Sequence, residues 1–317
     1  MENLLIVARE VASLFVLMGF GAALRHTRLI GDRAVDGIVN ILILVVTPCL
    51  ILDVFQRPFD SSALSSLALA LFIAILGHVA VIVLALLFVR HRDENVRKPL
   101  LLAAVFSNAG FMGIPLEQAI LGDRGVFFGI VYVVVFNLFM WSWGLLTVKQ
   151  RSAGESSSSL GRSELIKMVF NPGTVGIALG LPFFIFSLRL PSFLSGPVHH
   201  MAALNTPLAM IVIGYGLYGA KLGNVLKNPS VWVAGAIRLL VYPLLFVALL
   251  YPFRSFLDRD MMLALSIAAS APVAAMVSMF ATKFRRDVDT GVAMVSGTTL
   301  LSIITMPVVI AIAMAVL

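Results

Sequence analysis

Polar and apolar positions alternate along this chain on a scale of about twenty residues rather than two or three. Apolar runs cover about 4–24, 35–54, 62–89, 99–120, 126–148, 172–188, 199–220, 229–252, 261–283 and 289–316, parted by short polar clusters. Runs of roughly 20 apolar residues can cross a hydrocarbon core about 30 Å thick as helices. The pattern predicts an all-α membrane protein of ten transmembrane helices, with no room for a sizeable soluble domain. One run contradicts itself: Asn108, Gly110, Gly113 and Pro115 fall near the middle of the fourth. In hydrocarbon every backbone N–H and C=O needs an internal partner, so such a break survives only inside protein or beside a watery cavity.

Composition agrees with the pattern. Of 317 residues, 60% are hydrophobic and 12% charged, and the mean hydropathy is +1.02, far too apolar for a soluble domain. The first run lacks a basic leader and ends in Arg25-His26-Thr27-Arg28 instead of a small-residue cleavage site, so it reads as a helix, not a signal peptide. The single cysteine, Cys49, excludes an internal disulfide and a cysteine metal cluster. No metal site and no cofactor are expected.

The net charge of +7 needs no nucleic-acid partner, because short inner loops collect Lys and Arg. With the N-terminus outside, sixteen of the 23 basic residues fall in inner loops, including Arg25, Arg28, Arg90, Lys98, Lys149, Lys227, Lys283 and Arg286. Both termini are then expected on the outer face. The most polar stretch, 149–171, holds a run of four serines and reads as a cytoplasmic linker.

That linker divides the runs five and five, 1–148 and 172–317. Thr47-Pro48 in the second run is answered by Thr206-Pro207 in the seventh, and Pro115 in the fourth by Pro272 in the ninth. An odd number of spans per repeat forces the halves into opposite orientations. This is the inverted repeat of many secondary transporters, whose sites lie near mid-membrane between interrupted helices.

The residues that can carry chemistry follow from this plan. Pro115, Gly110 and Gly113 favour a broken fourth helix, whose half-helix N-terminus suits a carboxylate, and Asn108 adds an amide. Pro272 and Ser270 supply the ninth-run counterpart. Thr47, Pro48, Asn205 and Thr206 add polar atoms and kinks, although Thr hydroxyls often bond only their own helix. Arg238 stands well inside the eighth run, where it attracts an anion, pairs with a carboxylate or snorkels to the surface. His78, mid-membrane in the third run, is a candidate proton relay or a packing residue. Asp53 and Glu117 are candidates for proton coupling, with interfacial solvation at the outer surface as their default reading.

At these residues a resemblance appears. Ser107-Asn108-Ala109-Gly110-Phe111-Met112-Gly113-Ile114-Pro115-Leu116 resembles the fourth-helix motif of the auxin efflux carrier family, which includes bacterial permeases and plant PIN carriers. Ala271-Pro272-Val273-Ala274-Ala275 and 296–307 resemble its ninth and tenth helices. Thr206-Pro207-Leu208-Ala209-Met210, and Arg238 followed by Pro243, are similar to its seventh and eighth. The resemblance implies a PIN- and NhaA-like fold: two inverted five-helix repeats, with broken helices 4 and 9 crossing at their prolines. It further implies a scaffold of helices 1, 2, 6 and 7, and a transport domain of helices 3–5 and 8–10. An organic anion would bind beside the crossing and move by an elevator-like displacement, with Asn108 at the substrate-contacting position. The ninth-helix Asn of plant carriers has no match beside Pro272, and the linker is far shorter than the plant loop. A bacterial inner-membrane permease for malonate, malate or another small carboxylate is the closer comparison.

Other classes fit less well. G-x-x-x-x-G-K-[ST], H-E-x-x-H and G-x-S-x-G are absent from the sequence, so an ATP-driven pump or an intramembrane enzyme is not expected. A channel or a sensor for a small anion stays as the alternative. The expected partners are a small carboxylate and membrane lipid, with homodimer formation left open.

Overall fold

The computed structural model describes residues 2–149, 172–219 and 225–317. Apart from Lys149, the expected linker lies outside them. Regular structure in the described residues is helical: α1 (Glu2–His26), α2 (Asp32–Phe55), α3 (Ser61–Phe88), α4 (Glu94–Val105), α5 (Ala109–Val148), α6 (Pro172–Ile185), α7 (Ser192–Tyr218), α8 (Pro229–Phe253), α9 (Arg259–Ser270), α10 (Met276–Lys283) and α11 (Val288–Val316). Seven of these (α1, α2, α3, α5, α7, α8 and α11) are long and apolar enough to cross a membrane. Large apolar side chains such as Leu76, Phe72, Phe88 and Ile304 point outward, where only hydrocarbon suits them. The chain is an all-helical integral membrane protein.

The expected breaks are present, and one expected boundary shifts. The fourth run is not one helix: it divides into α4 and the start of α5, and the ninth divides into α9 and α10. Conversely, the fourth and fifth runs are joined by a single residue, Gly122, at φ 64° and ψ −156°. Only glycine adopts that backbone readily, so one position reverses the chain where a loop was expected.

The prolines act differently from simple breaks. Residues Leu42–Val46, Ala109–Gly113 and Ile237–Val241 form π turns, and Pro48, Pro115 and Pro243 each follow two residues later. In each case the residue before proline donates to the carbonyl five residues back: Thr47 to Leu42, Ile114 to Ala109, Tyr242 to Ile237. Proline lacks the N–H for an i−4 bond and its ring crowds that carbonyl, so the helix widens by one residue instead of stopping.

The helices pack as two sets that are bridged by contacts of α1 with α11 and of α2 and α6 with α5. α1 and α7 touch backbone to backbone: a Cβ on Gly21 would lie 2.1 Å from the Ile211 oxygen, and one on Gly214 would lie 1.8 Å from the Met18 oxygen. Small residues permit this approach, which lipid-embedded helices need for close dispersion contact. The second half of α2 packs on α6, where Gly176 makes room for Ile51, and on α7. In the second group α5 packs on α9 and α3, α11 on α4, α9 and α10, and α8 on α4 and α9. An apolar seam joins the groups, with Leu14 and Met18 of α1 and Met210 of α7 meeting Met112 and Leu116 of α5, Ile267 of α9 and Met306 of α11.

Polar networks tie the two ends of the bundle. At one end Arg124 pairs with Asp258 and Asp260, and His199 Nδ1 lies 2.9 Å from Asp53. At the other, Arg286 donates to the Val148 and Lys149 oxygens and to Asn95 Oδ1, a cation on the C-terminal carbonyls of α5.

Candidate functional site

The centre of the second group is a crossing of two interrupted helices. α4 ends at Val105, and Phe106 (φ −97°, ψ 111°) is extended; α9 ends at Ser270, and Ala271 (φ −61°, ψ 148°) is extended too. The extended pieces run antiparallel, with Ser107 opposite Val273. The Asn108 N–H donates to the Pro272 oxygen at 2.6 Å, and the Ala274 N–H to the Phe106 oxygen at 3.0 Å. Each break therefore supplies the hydrogen-bond partners the other lacks, which is what non-helical backbone at this depth requires. The Val273 N–H is taken by Thr298 Oγ1 of α11 at 3.0 Å.

Two helix C-termini and two N-termini face this point. Behind it, Arg238 of α8 is fully buried and donates from Nη1 to the Val105 oxygen at 2.8 Å and from Nη2 to the Ala269 oxygen. These are the terminal carbonyls of α4 and α9, each carrying about half a negative charge. One guanidinium thus offsets both. The snorkelling reading is overturned, and so is pairing with a carboxylate, because the partners are carbonyls. The same bonds tie Arg238 to the scaffold of the crossing, away from the half-helix N-termini.

On the opposite side the N-termini of α5 and α10 begin at Ala109 and Met276. Asn108 is the N-cap of α5, yet its side chain makes no capping bond. Its backbone oxygen instead accepts from Met112 and Gly113. A capping Asn ordinarily bonds the N2 or N3 amide. Here the amide has no hydrogen-bond partner among the described residues, at 6% exposure. A Cβ on Gly110 would meet nothing within 4 Å, so the site opens on that side; a Cβ on Gly113 would by contrast lie 3.4 Å from the Ala268 Cα, where the two arms are in contact. Pro115 is not at the break, which lies seven residues earlier, but at the first turn after the π turn, where a missing N–H is tolerated. Pro272 does lie in its break and holds Ala271 out of the helical region.

The remaining candidates disperse. Ser270 is buried and donates to the Ile267 oxygen at 2.8 Å; Thr47 donates to the Leu42 oxygen at 2.8 Å; both hydroxyls are spent on their own helices. Pro48 lies beside Thr47 in α2. Asn205 is buried and Thr206 half-buried at a kink in α7, in the half of that helix which packs on the Ala109–Gly113 turn. His78 is fully buried, bonds the Ala74 oxygen at 2.8 Å and stacks on Phe139, which is a packing role. Asp53 lies far along α2, lining a cleft of about 460 Å³ with Arg57, Asp60, Asp123 and Arg124. There Asp60 is held below the usual carboxylate range by the Ser62 hydroxyl and N–H. Glu117 corrects its default reading: it is not solvated at an interface but fully buried, with both carboxyl oxygens unpartnered among the described residues.

Thr298 is the member of the crossing that the residue-by-residue reading did not single out. Its signal was present as a polar stripe, Ser296, Thr299 and Ser302 with Thr298, in an otherwise apolar α11. All four are buried.

Interrupted helices that cross inside an apolar bundle are the arrangement in which secondary transporters build their sites. The family described as membrane transport protein matches residues 6–310, and the chain belongs to it, in agreement with the auxin-efflux-carrier-like motifs of α5 and α9. The chain is also 28% identical over 301 residues to an uncharacterized transporter of Methanothermobacter thermautotrophicus, covering 94% of this chain and 95% of that protein.

Proposed function

We propose that this protein is a secondary active transporter that moves a small mono- or dicarboxylate across the cytoplasmic membrane. The observation that carries the reading is the convergence of two half-helix N-termini with the unspent amide of Asn108. Each N-terminus carries about half a positive charge and unpaired N–H groups, so an anion is the ligand that suits them. Arg238 already offsets the opposing C-termini, which leaves this positive field without a counter-charge from that side.

The chain is read as ten passages in two inverted repeats, 1–148 and 172–317, with both termini outside and 149–171 in the cytoplasm. α1, α2, α6 and α7 form the scaffold; α3–α5 and α8–α11 form the transport domain that carries the crossing as one body. Support for an elevator-type motion comes from the seam between the groups, which is apolar and rich in Met112, Met210 and Met306. Methionine is adaptable enough to repack along a sliding surface.

Counterflow in proteoliposomes tests the proposal. A panel of small mono- and dicarboxylates is expected to contain at least one that exchanges with saturation, and Asn108→Ala is expected to remove that exchange while the protein stays folded. Ion conductance without counterflow would overturn the carrier reading in favour of a channel.

A further inference from the structure

Glu117 is a buried acid with no counterpart. It is 0% exposed, and neither carboxyl oxygen has a hydrogen-bond partner among the described residues. The carboxyl occupies a notch made by the absence of a side chain at Gly129, where a Cβ would lie 1.6 Å from Oε2, and Gly113 borders it, where a Cβ would be in ordinary contact at 3.5 Å from Oε1. The charged and titratable groups of the surrounding helices are engaged elsewhere or lie at the surface, apart from the buried Tyr132 and Tyr242 hydroxyls, which lie beside Arg238. Arg124 holds Asp258 and Asp260, Arg259 donates to the Met314 oxygen, and Arg238 holds the two carbonyls. His78 bonds Ala74, Asp53 faces His199, Asp123 accepts from Gln118, and Arg9 and Glu10 of α1 are exposed and half-buried. An ionised carboxylate in such a notch lacks both a cation and a donor, a cost no protein interior sustains; the neutral acid is the form that fits.

The position links this acid to the anion site. Glu117 stands in the first turn of the helical segment that follows the Ala109–Gly113 turn. When ionised it repels an anion held at the Ala109 end of the same helix, about 12 Å away at 1.5 Å per residue, and when protonated it does not. Proton and anion therefore favour each other's binding, and linkage makes the preference reciprocal. Residues 114–121 are also bounded on both sides by interruptions of the helical ladder, the π turn before them and Gly122 after them. Gln118 and Ala119, the next two residues, are exposed at the end of the bundle where Asp123 lies, which brings the surface within one turn of the buried carboxyl.

Resting on the transport reading above, we infer that Glu117 is the proton-binding site of the carrier. Its carboxylate takes up one proton as the anion binds, keeps it in the Gly129 notch during the crossing, and releases it to water when the anion leaves.

The test uses the full chain reconstituted in lipid vesicles, with two readouts. Infrared spectra are expected to show the carbonyl stretch of a protonated, dehydrated carboxylic acid at neutral pH, absent in Glu117→Gln and weakened in Gly129→Ala, which fills the notch. Absence of this band from the wild type, or its persistence in Glu117→Gln, overturns the site. The second readout is uptake of radiolabelled malonate at zero membrane potential. One-to-one coupling lets a pH gradient of one unit concentrate the probe about tenfold. Glu117→Gln is expected to lose that gain and keep counterflow exchange; a full gain in Glu117→Gln overturns the coupling. Failure of malonate and every other carboxylate to exchange in the wild type strikes the transport reading instead, and the infrared band still decides the proton site.

Discussion

The two arms of the crossing reach the same shape by different means. In the second arm the break is local: Pro272 biases Ala271 to extended backbone and α9 stops one residue before it. In the first arm the proline sits beyond the break, the residue before it stays helical at φ −55° and ψ −48°, and no glycine or proline marks Phe106 or Ser107. That arm is opened by its partner, through the bonds from Asn108 to Pro272 and from Ala274 to Phe106. The second arm is also closed off, with Val273 held by Thr298, whereas the first keeps Asn108 unspent and Gly110 facing open space. Specificity is therefore expected to reside in the first arm and rigidity in the second.

The largest way to break this comparison is to remove the residue both arms share. Arg238→Met deletes two charge-assisted bonds to terminal carbonyls and is expected to cost about 3 kcal/mol or more, read as a lower thermal unfolding temperature in detergent. Thr298→Val strikes the second arm alone. It leaves the buried Val273 N–H unpaired, for an expected loss of about 1–3 kcal/mol, with anion affinity little changed in the proteins that stay folded.

Smaller substitutions sharpen the contrast. Pro272→Ala frees Ala271 in the unfolded chain and is expected to cost about 0.4–1 kcal/mol, while Pro115→Ala, inside a helix, is expected to cost nothing measurable in the same melt. Gly110→Ala meets no atom within 4 Å. Its stability is expected to stay within about 0.5 kcal/mol of the wild type, while the added methyl narrows the open side of the site and slows exchange of larger carboxylates more than of small ones. Equal slowing of all of them would place the site elsewhere.

Much of this molecule was legible before its structure. The roughly twenty-residue apolar periodicity marked ten runs, among which the described residues form seven long apolar helices, and it flagged Asn108 to Pro115 and Pro272 as interruptions, although the first arm opens just before that stretch, at Phe106 and Ser107. Local chemistry was less reliable for individual side chains. Thr47, open between ligand and structural role, and Ser270 are spent on their own helices, and His78, a candidate relay or packing residue, is packed between rings. A hydroxyl or imidazole in an apolar run announces only that it needs a partner, and the nearest partner is usually a carbonyl one turn back.

Carried by the sequence are the apolar medium, the family resemblance and the stop at Pro272; the π turns before Pro48, Pro115 and Pro243 and the reversal at Gly122, which were not read from it, have equally local causes. These follow from sterics that act within a few residues. Only the tertiary structure decided where the first arm opens, that Arg238 serves both arms, and that Glu117 lies in a notch between Gly113 and Gly129. Each of those is a matter of pairing across long distances in the chain. In a medium without water, an unpaired group is too costly to leave, so its partner is chosen by the whole fold and not by its neighbours.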